Sequence, residues 1–184
     1  MNWIRSLIFI PIIFGYIFAE FEQDLQLKLI LAEPGDTIQL ESGVFKVLGT
    51  LSLEGKKNIC IKGNGINGTI IDFSSQVEGA QGISITNCKN IILEDFTIQN
   101  AKGDAIKAQY TNGITFRRIK TQWLGGPKTT NGAYGIYPVQ CKNILIENCI
   151  AIAASDAGIY VGQSKNIIVR HSEAFQNVAG IEIE

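Results

Sequence analysis

Tyr134, Tyr137 and Tyr160 offer aromatic planes, Lys107 a cation and Glu182 a carboxylate. Their spacing makes them a set. Lys107 follows Ala105-Ile106, Tyr137 follows Gly135-Ile136, Tyr160 follows Gly158-Ile159 and Glu182 follows Gly180-Ile181. Ser52 and Ser84 hold the same slot in two earlier copies. Aromatic faces take the C–H surface of sugar rings, while charges take hydroxyls and carboxylates. Trp123 and Tyr134 come from the stretch ahead of Gly135, and Asp104 and Asp156 stand at the turns just before two of the strands. A glycosidase needs a close carboxylate pair, which Glu182 lacks. No zinc, P-loop or nucleophile-elbow pattern is present, so no cofactor and no metal is expected. His171, the only histidine, follows Arg170 with no partner constellation around it and reads as incidental.

A repeat positions these residues. Copies start at 50, 82, 105, 135, 158 and 180, separated by 32, 23, 30, 23 and 22 residues. Each holds an Ile-x-Ile/Val segment, a polar turn and a second apolar segment, as in Gly82-Ile83-Ser84-Ile85 leading to Ile91. Side chains alternate across a strand, so the isoleucines face one way and the Ser, Lys, Tyr and Glu slot the other. A third strand closes each repeat, as at Phe96-Thr97-Ile98. Stacked three-strand turns make a right-handed, single-stranded parallel β-helix of about six coils, all-β apart from a short N-terminal capping helix. Asn58, Asn90, Asn143 and Asn166 suit its corners, because Asn tolerates the left-handed conformation and its amide can bond the Asn above.

A second column follows three residues after the second isoleucine segment begins: Lys62, Glu94, Arg117, Glu147 and Arg170, alternating in sign. It reads as a solvated salt-bridge ladder. Two insertions lengthen the 32- and 30-residue steps, within Asn64–Gln81 and Trp123–Tyr134, and both are expected just before a Gly-Ile strand, flanking its outer face. The first contains the glycosylation sequon Asn67-Gly68-Thr69.

Composition bounds the rest. The chain has 184 residues, 46% of them apolar, and a net charge of −1 without a basic run, which argues against a nucleic-acid surface. Met1–Ala19 carries Arg5, an apolar run from Leu7 to Phe18 and Ala19 before Glu20, the pattern of a cleavable export signal. Left uncleaved, it would anchor the chain to a membrane. Residues 20–34 then form a cap segment, with a helix expected over Phe21–Leu31, and residues 35–184 the β-helix. Cys88 and Cys141 hold equivalent slots two coils apart, about 9.6 Å, too far to bridge, so the four cysteines are expected free. The last coil, with Ile181 and Ile183 at buried positions, is expected to continue further or to meet a protein partner.

Over most of residues 35–184 the chain resembles the right-handed parallel β-helix proteins of the pectate-lyase-like superfamily, especially exported bacterial members. Tyr134-Gly135-Ile136-Tyr137-Pro138-Val139 also resembles the mannuronan epimerase motif Tyr-Gly-hydrophobic-Asp-Pro-His. Tyr134, Gly135, Ile136 and Pro138 match it, while Tyr137 stands at the motif's Asp and Val139 at its His. The resemblance implies a polysaccharide partner, acidic where Lys107 supplies charge. The two departures remove the side chains that family uses on the uronate carboxylate and the C5 proton, and the resemblance leaves Tyr134 as the one candidate proton donor. Two readings stay open: a polysaccharide-binding β-helix, or a polysaccharide-modifying enzyme of the uronate lyase or epimerase kind. Pectate lyases of this fold hold calcium in clustered acids, and Asp104 and Asp156 lie two coils apart.

Overall fold

The computed structural model describes the backbone of residues 11–184, with side chains from Phe21 onward. Helix α1 (Pro11–Leu31) precedes sixteen strands. β1 (Thr37–Gln39) and β2 (Gly43–Lys46) form an opening partial coil. β3 (Leu51–Glu54), β4 (Lys57–Lys62) and β5 (Thr69–Asp72) make the first full coil; β6 (Ile83–Thr86) and the long β7 (Lys89–Gln99) make the second. β8 (Ile106–Gln109) and β9 (Asn112–Gln122) make the third; β10 (Ile136–Val139), β11 (Lys142–Glu147) and β12 (Ile150–Ile152) the fourth. β13 (Ala157–Val161), β14 (Lys165–Arg170) and β15 (Glu173–Phe175) make the fifth, and β16 (Ala179–Ile183) opens a sixth. The Gly-Ile strands stack as one sheet in the order β3–β6–β8–β10–β13–β16, and β1–β4–β7–β9–β11–β14 form the second. A third leg runs through β2, β5, the far halves of β7 and β9, then β12 and β15. Each sequence repeat is therefore one turn of a parallel β-helix, right-handed as parallel crossovers are.

The core is a set of columns. Ile83, Ile106, Ile136 and Ile159 stack in register along the Gly-Ile sheet, all at most 2% exposed. Leu93, Phe116 and Ile146 do the same across the second sheet. The strand-opening glycine has a steric cause at Gly135: a Cβ there would stand 2.4 Å from the Gly158 carbonyl oxygen and 2.5 Å from the Thr121 hydroxyl. The corners are left-handed, with φ near +55° at Asn58, Asn90, Asn143 and Asn166. Asn90 Nδ2 donates to Asn58 Oδ1 at 2.9 Å, and Asn166 donates to Asn143 at 2.9 Å. At the third coil the corner residue is Gly113, and the neighbouring Asn112 accepts from Asn143 at 2.8 Å instead. His171 has φ +51° and is exposed, so its place is that of a turn residue.

The helix caps the open first coil through named groups. Leu25 and Leu29 are buried, and Phe21 stacks on Phe45 with centroids 3.9 Å apart. Glu22 accepts from the Leu48 and Gly49 amides at 2.7 and 2.8 Å. Gln26 both donates to the Ser52 carbonyl (3.0 Å) and accepts from the Ser52 amide (2.8 Å), standing in for the strand that β3 lacks. Lys56 donates to the Ile30 and Ala32 carbonyls at the helix end.

Two expectations change, and one lies largely outside the described residues. The helix starts at Pro11, ahead of the Phe21 expected. The export signal read over Met1–Ala19 lies outside the described side chains, and residues 1–10 lie outside the described backbone too; among the described residues, no helix is long and apolar enough to cross a membrane. The first insertion is split. Glu94 and Thr97 are three residues apart where their partners Lys62 and Ile70 are eight apart, so five extra residues bulge at the β4–β5 corner. Only the other four precede β6, because Asp72 to Ile83 is eleven steps against seven from Gln99 to Ile106. The sequon sits in that corner bulge, with Thr69 buried and its hydroxyl donating to the Glu41 carbonyl at 2.8 Å. At the far end β16 is the edge strand of its sheet among the described residues, and Ile181 and Ile183 are 44% and 54% exposed.

Candidate functional site

The Gly-Ile sheet presents the expected outward column. Ser52 pairs with Ser84, Ser84 with Lys107, Lys107 with Tyr137, and Tyr160 with Glu182, while the Ile136–Ile159 pairing sets Tyr137 beside Tyr160. Tyr134 joins it from the end of the second insertion. Its ring stacks on Tyr160 at 4.7 Å and 17°, and meets Tyr137 at 4.7 Å and 51°. Tyr137 and Tyr160 are 5.3 Å apart. The three rings thus pack on one another and are half-buried, where an exposed pair was expected. Lys107 Nζ lies 5.2 Å from the Tyr137 centroid, a cation over the cluster's edge.

Acids border the cluster. Tyr134 lies between the coils of Asp104 and Asp156; burial, then the charge and hydrogen bond of Asp156, push its phenol up. Burial also pushes the Asp104 carboxyl up, and Lys107 opposes that shift. Tyr137 is raised by burial first and by the charge of Asp104 next. Tyr160 donates to Glu184, and that bond is the main reason its phenol is pushed up to about 12. Glu184 was missed in the sequence because it lies two slots past the aligned Glu182; only the two-residue strand period could have linked them.

Trp123 requires a correction. Its ring turns inward, 6% exposed, and its indole N–H donates to the Ala101 carbonyl at 2.7 Å. It props the insertion from beneath and cannot touch a ligand on this face. Buried tryptophans find a partner for the N–H, and here the backbone of the previous coil provides one. Val139, at the slot of the epimerase motif's His, is 8% exposed, and a phenol fills the slot of its Asp. Neither position carries the side chain that the motif has there.

The sign-alternating column stands apart from this face. Glu94 pairs with Lys62 at 3.0 Å and Arg117 at 3.3 Å; Glu147 pairs with Arg117 at 2.7 Å and Arg170 at 2.6 Å. Arg118 adds a bidentate pair with Asp95, at 2.6 and 2.8 Å. Each pair bridges neighbouring coils, so its work is cohesion. All four cysteines are free, and the thiols of Cys88, Cys141 and Cys149 donate to carbonyls in the coil before them. Burial pushes the Cys149 thiol up to about 11, which keeps it protonated and inert. Among the described residues no three His, Cys, Asp or Glu side chains converge on a metal-sized site.

Solved structures share this fold, among them the following two. The A-module of the mannuronan C-5 epimerase of Azotobacter vinelandii aligns with a TM-score of 0.64 and 17% identity, over 87% of this chain and 47% of its own. A glycosyl hydrolase-like protein of Parabacteroides merdae aligns with a TM-score of 0.57 and 17% identity, over 82% of this chain and 73% of its own. No curated protein sequence matches the chain. Residues 42–184 match the family profile described as the right handed beta helix region, and the chain belongs to that family.

Proposed function

We propose that this is an exported polysaccharide-binding β-helix whose ligand, an acidic glycan, lies along the outer face of the Gly-Ile sheet. The observation that carries the reading is the Tyr134–Tyr137–Tyr160 cluster with Lys107 at its edge. Packed rings form a rigid apolar platform for sugar C–H faces, and Lys107 is placed to take a uronate carboxylate. Glu182 and Glu184 border the far end of the platform and offer acceptors for hydroxyls. Structural likeness to an epimerase module agrees with a glycan ligand, while Tyr137 and Val139 at the motif's Asp and His positions favour binding over epimerisation. Export rests on the Met1–Ala19 pattern.

A second reading, a polysaccharide-modifying enzyme of the uronate lyase or epimerase kind, draws on one observation. The Tyr134 phenol sits between Asp104 and Asp156 with Lys107 nearby, the makings of a proton donor beside a carboxylate clamp. One panel separates the readings. The protein is incubated with polyuronates and neutral glycans while binding is followed by calorimetry, lyase products by their ultraviolet absorbance and epimerisation by NMR. Binding without turnover is expected. Tyr137→Ala and Tyr160→Ala should each weaken it by about 1 kcal/mol or more. Equal affinity in the double variant, with the fold intact by circular dichroism, would place the site elsewhere.

A further inference from the structure

The corner where each coil passes from the Gly-Ile sheet to the second sheet carries a different charge pattern. Lys57, Lys89, Lys142 and Lys165 occupy one slot at the start of β4, β7, β11 and β14, paired in register as Lys57–Lys89 and Lys142–Lys165, with Asn112 between Lys89 and Lys142. All four are exposed, and none pairs with a carboxylate among the described residues. Like charges on neighbouring strands repel, at a cost to stability. The same sheet neutralises its other charged column at every coil, so the fold can alternate signs and here does not.

What flanks the lysines is equally regular. Each is followed by a left-handed corner residue, Asn58, Asn90, Asn143 or Asn166. In the Asn58–Asn90 and Asn112–Asn143–Asn166 ladders, every donating amide spends one of its two N–H groups on its neighbour, leaving the other N–H free to turn outward. On the preceding corner, Gln109 donates to Gln140 in the same manner at 2.9 Å. The result is a track along the helix axis: ammonium groups about one coil rise (about 4.8 Å) apart within each pair and about two rises apart across Asn112, beside two ladders of amide donors and acceptors.

We propose that this track is a second binding site, separate from the tyrosine face, for a linear carboxylated polysaccharide. The ammonium groups meet its carboxylates and the amide ladders meet its hydroxyls. Its chemistry disfavours nucleic acid. Bases need stacking surfaces, and of the corner residues beside the track only Tyr110 is aromatic.

The test uses the full chain, with polygalacturonate as probe and neutral dextran, single-stranded DNA and anionic vesicles as comparators. In the variant carrying Lys57→Gln, Lys89→Gln, Lys142→Gln and Lys165→Gln, polygalacturonate affinity should fall by roughly tenfold or more, and its salt dependence should flatten. Lys→Arg at the same four positions should keep binding, as should Lys→Gln at Lys46, Lys102 and Lys128. Melting of the four-glutamine variant should be unchanged or raised, because repulsion is relieved. Tyr137→Ala with Tyr160→Ala should leave the lysine-dependent part intact, so loss of the tyrosine-face reading would not touch this one. Undiminished affinity in the four-glutamine variant, or no retention of polygalacturonate by the unaltered chain, overturns the proposal. Tighter lysine-dependent binding of DNA or vesicles overturns the assignment to a polysaccharide.

Discussion

Tyr160 shows how one side chain can serve two neighbours. Its ring is the floor on which Tyr134 stacks, and its hydroxyl is held by Glu184. The bond favours the protonated phenol, so the folded-state pKa, about 12, exceeds the ordinary value of 10. This stabilisation is complete below the ordinary phenol range and is lost as pH rises through about 12. In an ultraviolet titration one tyrosine should therefore ionise only near 12, and Glu184→Gln should bring it down. A late tyrosine that persists in the glutamine variant would show burial, not Glu184, to be the cause. Trp123 carries the opposite lesson. Its position in sequence put it on a loop beside the site, yet an indole is large and apolar enough to fill the space beneath that loop, and burial won.

At the level of strands and helix, the ladder and the cap each hold coils together by groups that sequence places one repeat apart. Arg117 bonds both Glu94 and Glu147, so Arg117→Glu would stack three acids on successive strands. A loss of about 3 °C or more in melting midpoint is expected near neutral pH. Hydrogen bonds from Arg117 and then Arg170 hold the Glu147 carboxyl below the usual range, and Arg118 does the same for Asp95. Groups so depressed stabilise the fold above their unfolded pKa and lose that contribution as pH falls through the folded value. The unaltered protein should thus resist acid to below the ordinary carboxylate range, and the Arg117→Glu protein should unfold at a higher pH. At the first coil, Gln26→Ala would leave the Ser52 amide and carbonyl of β3 without partners. Hydrogen exchange at the Ser52 amide should quicken in that variant while amides in β9 keep their protection. Equal exchange at Ser52 would mean that water replaces the side chain at no cost.

For the molecule as a whole, what was legible in the sequence is what repeats. Ile83, Ile106, Ile136 and Ile159 announced the inward columns, the corner asparagines their left-handed turns, and the alternating charges their ladder, because stacked coils turn sequence period into spatial register. Features outside the period were read less well. The split of the first insertion depends on where Thr69–Asp72 rejoins the third leg, and no residue type marks that point. The packing of Tyr134 onto its neighbours depends on the path of a loop. The lysine track was within the period yet unread, since charge is ordinarily weighed as runs along the chain; charges 32, 53 and 23 residues apart make no run until the chain is wound.

The coil rise belongs to the hydrogen-bond ladder of the backbone, so every outward column on every face inherits the same repeat, and no side-chain substitution can change it. A glycan brings a repeat of its own. Laid along the axis, the two scales work as a vernier: units coincide with rings and charges at some coils, drift out of phase over the next few, and coincide again. Affinity as a function of oligomer length should then climb in steps, each marking a new coincidence, and chain length itself becomes something this fold can measure.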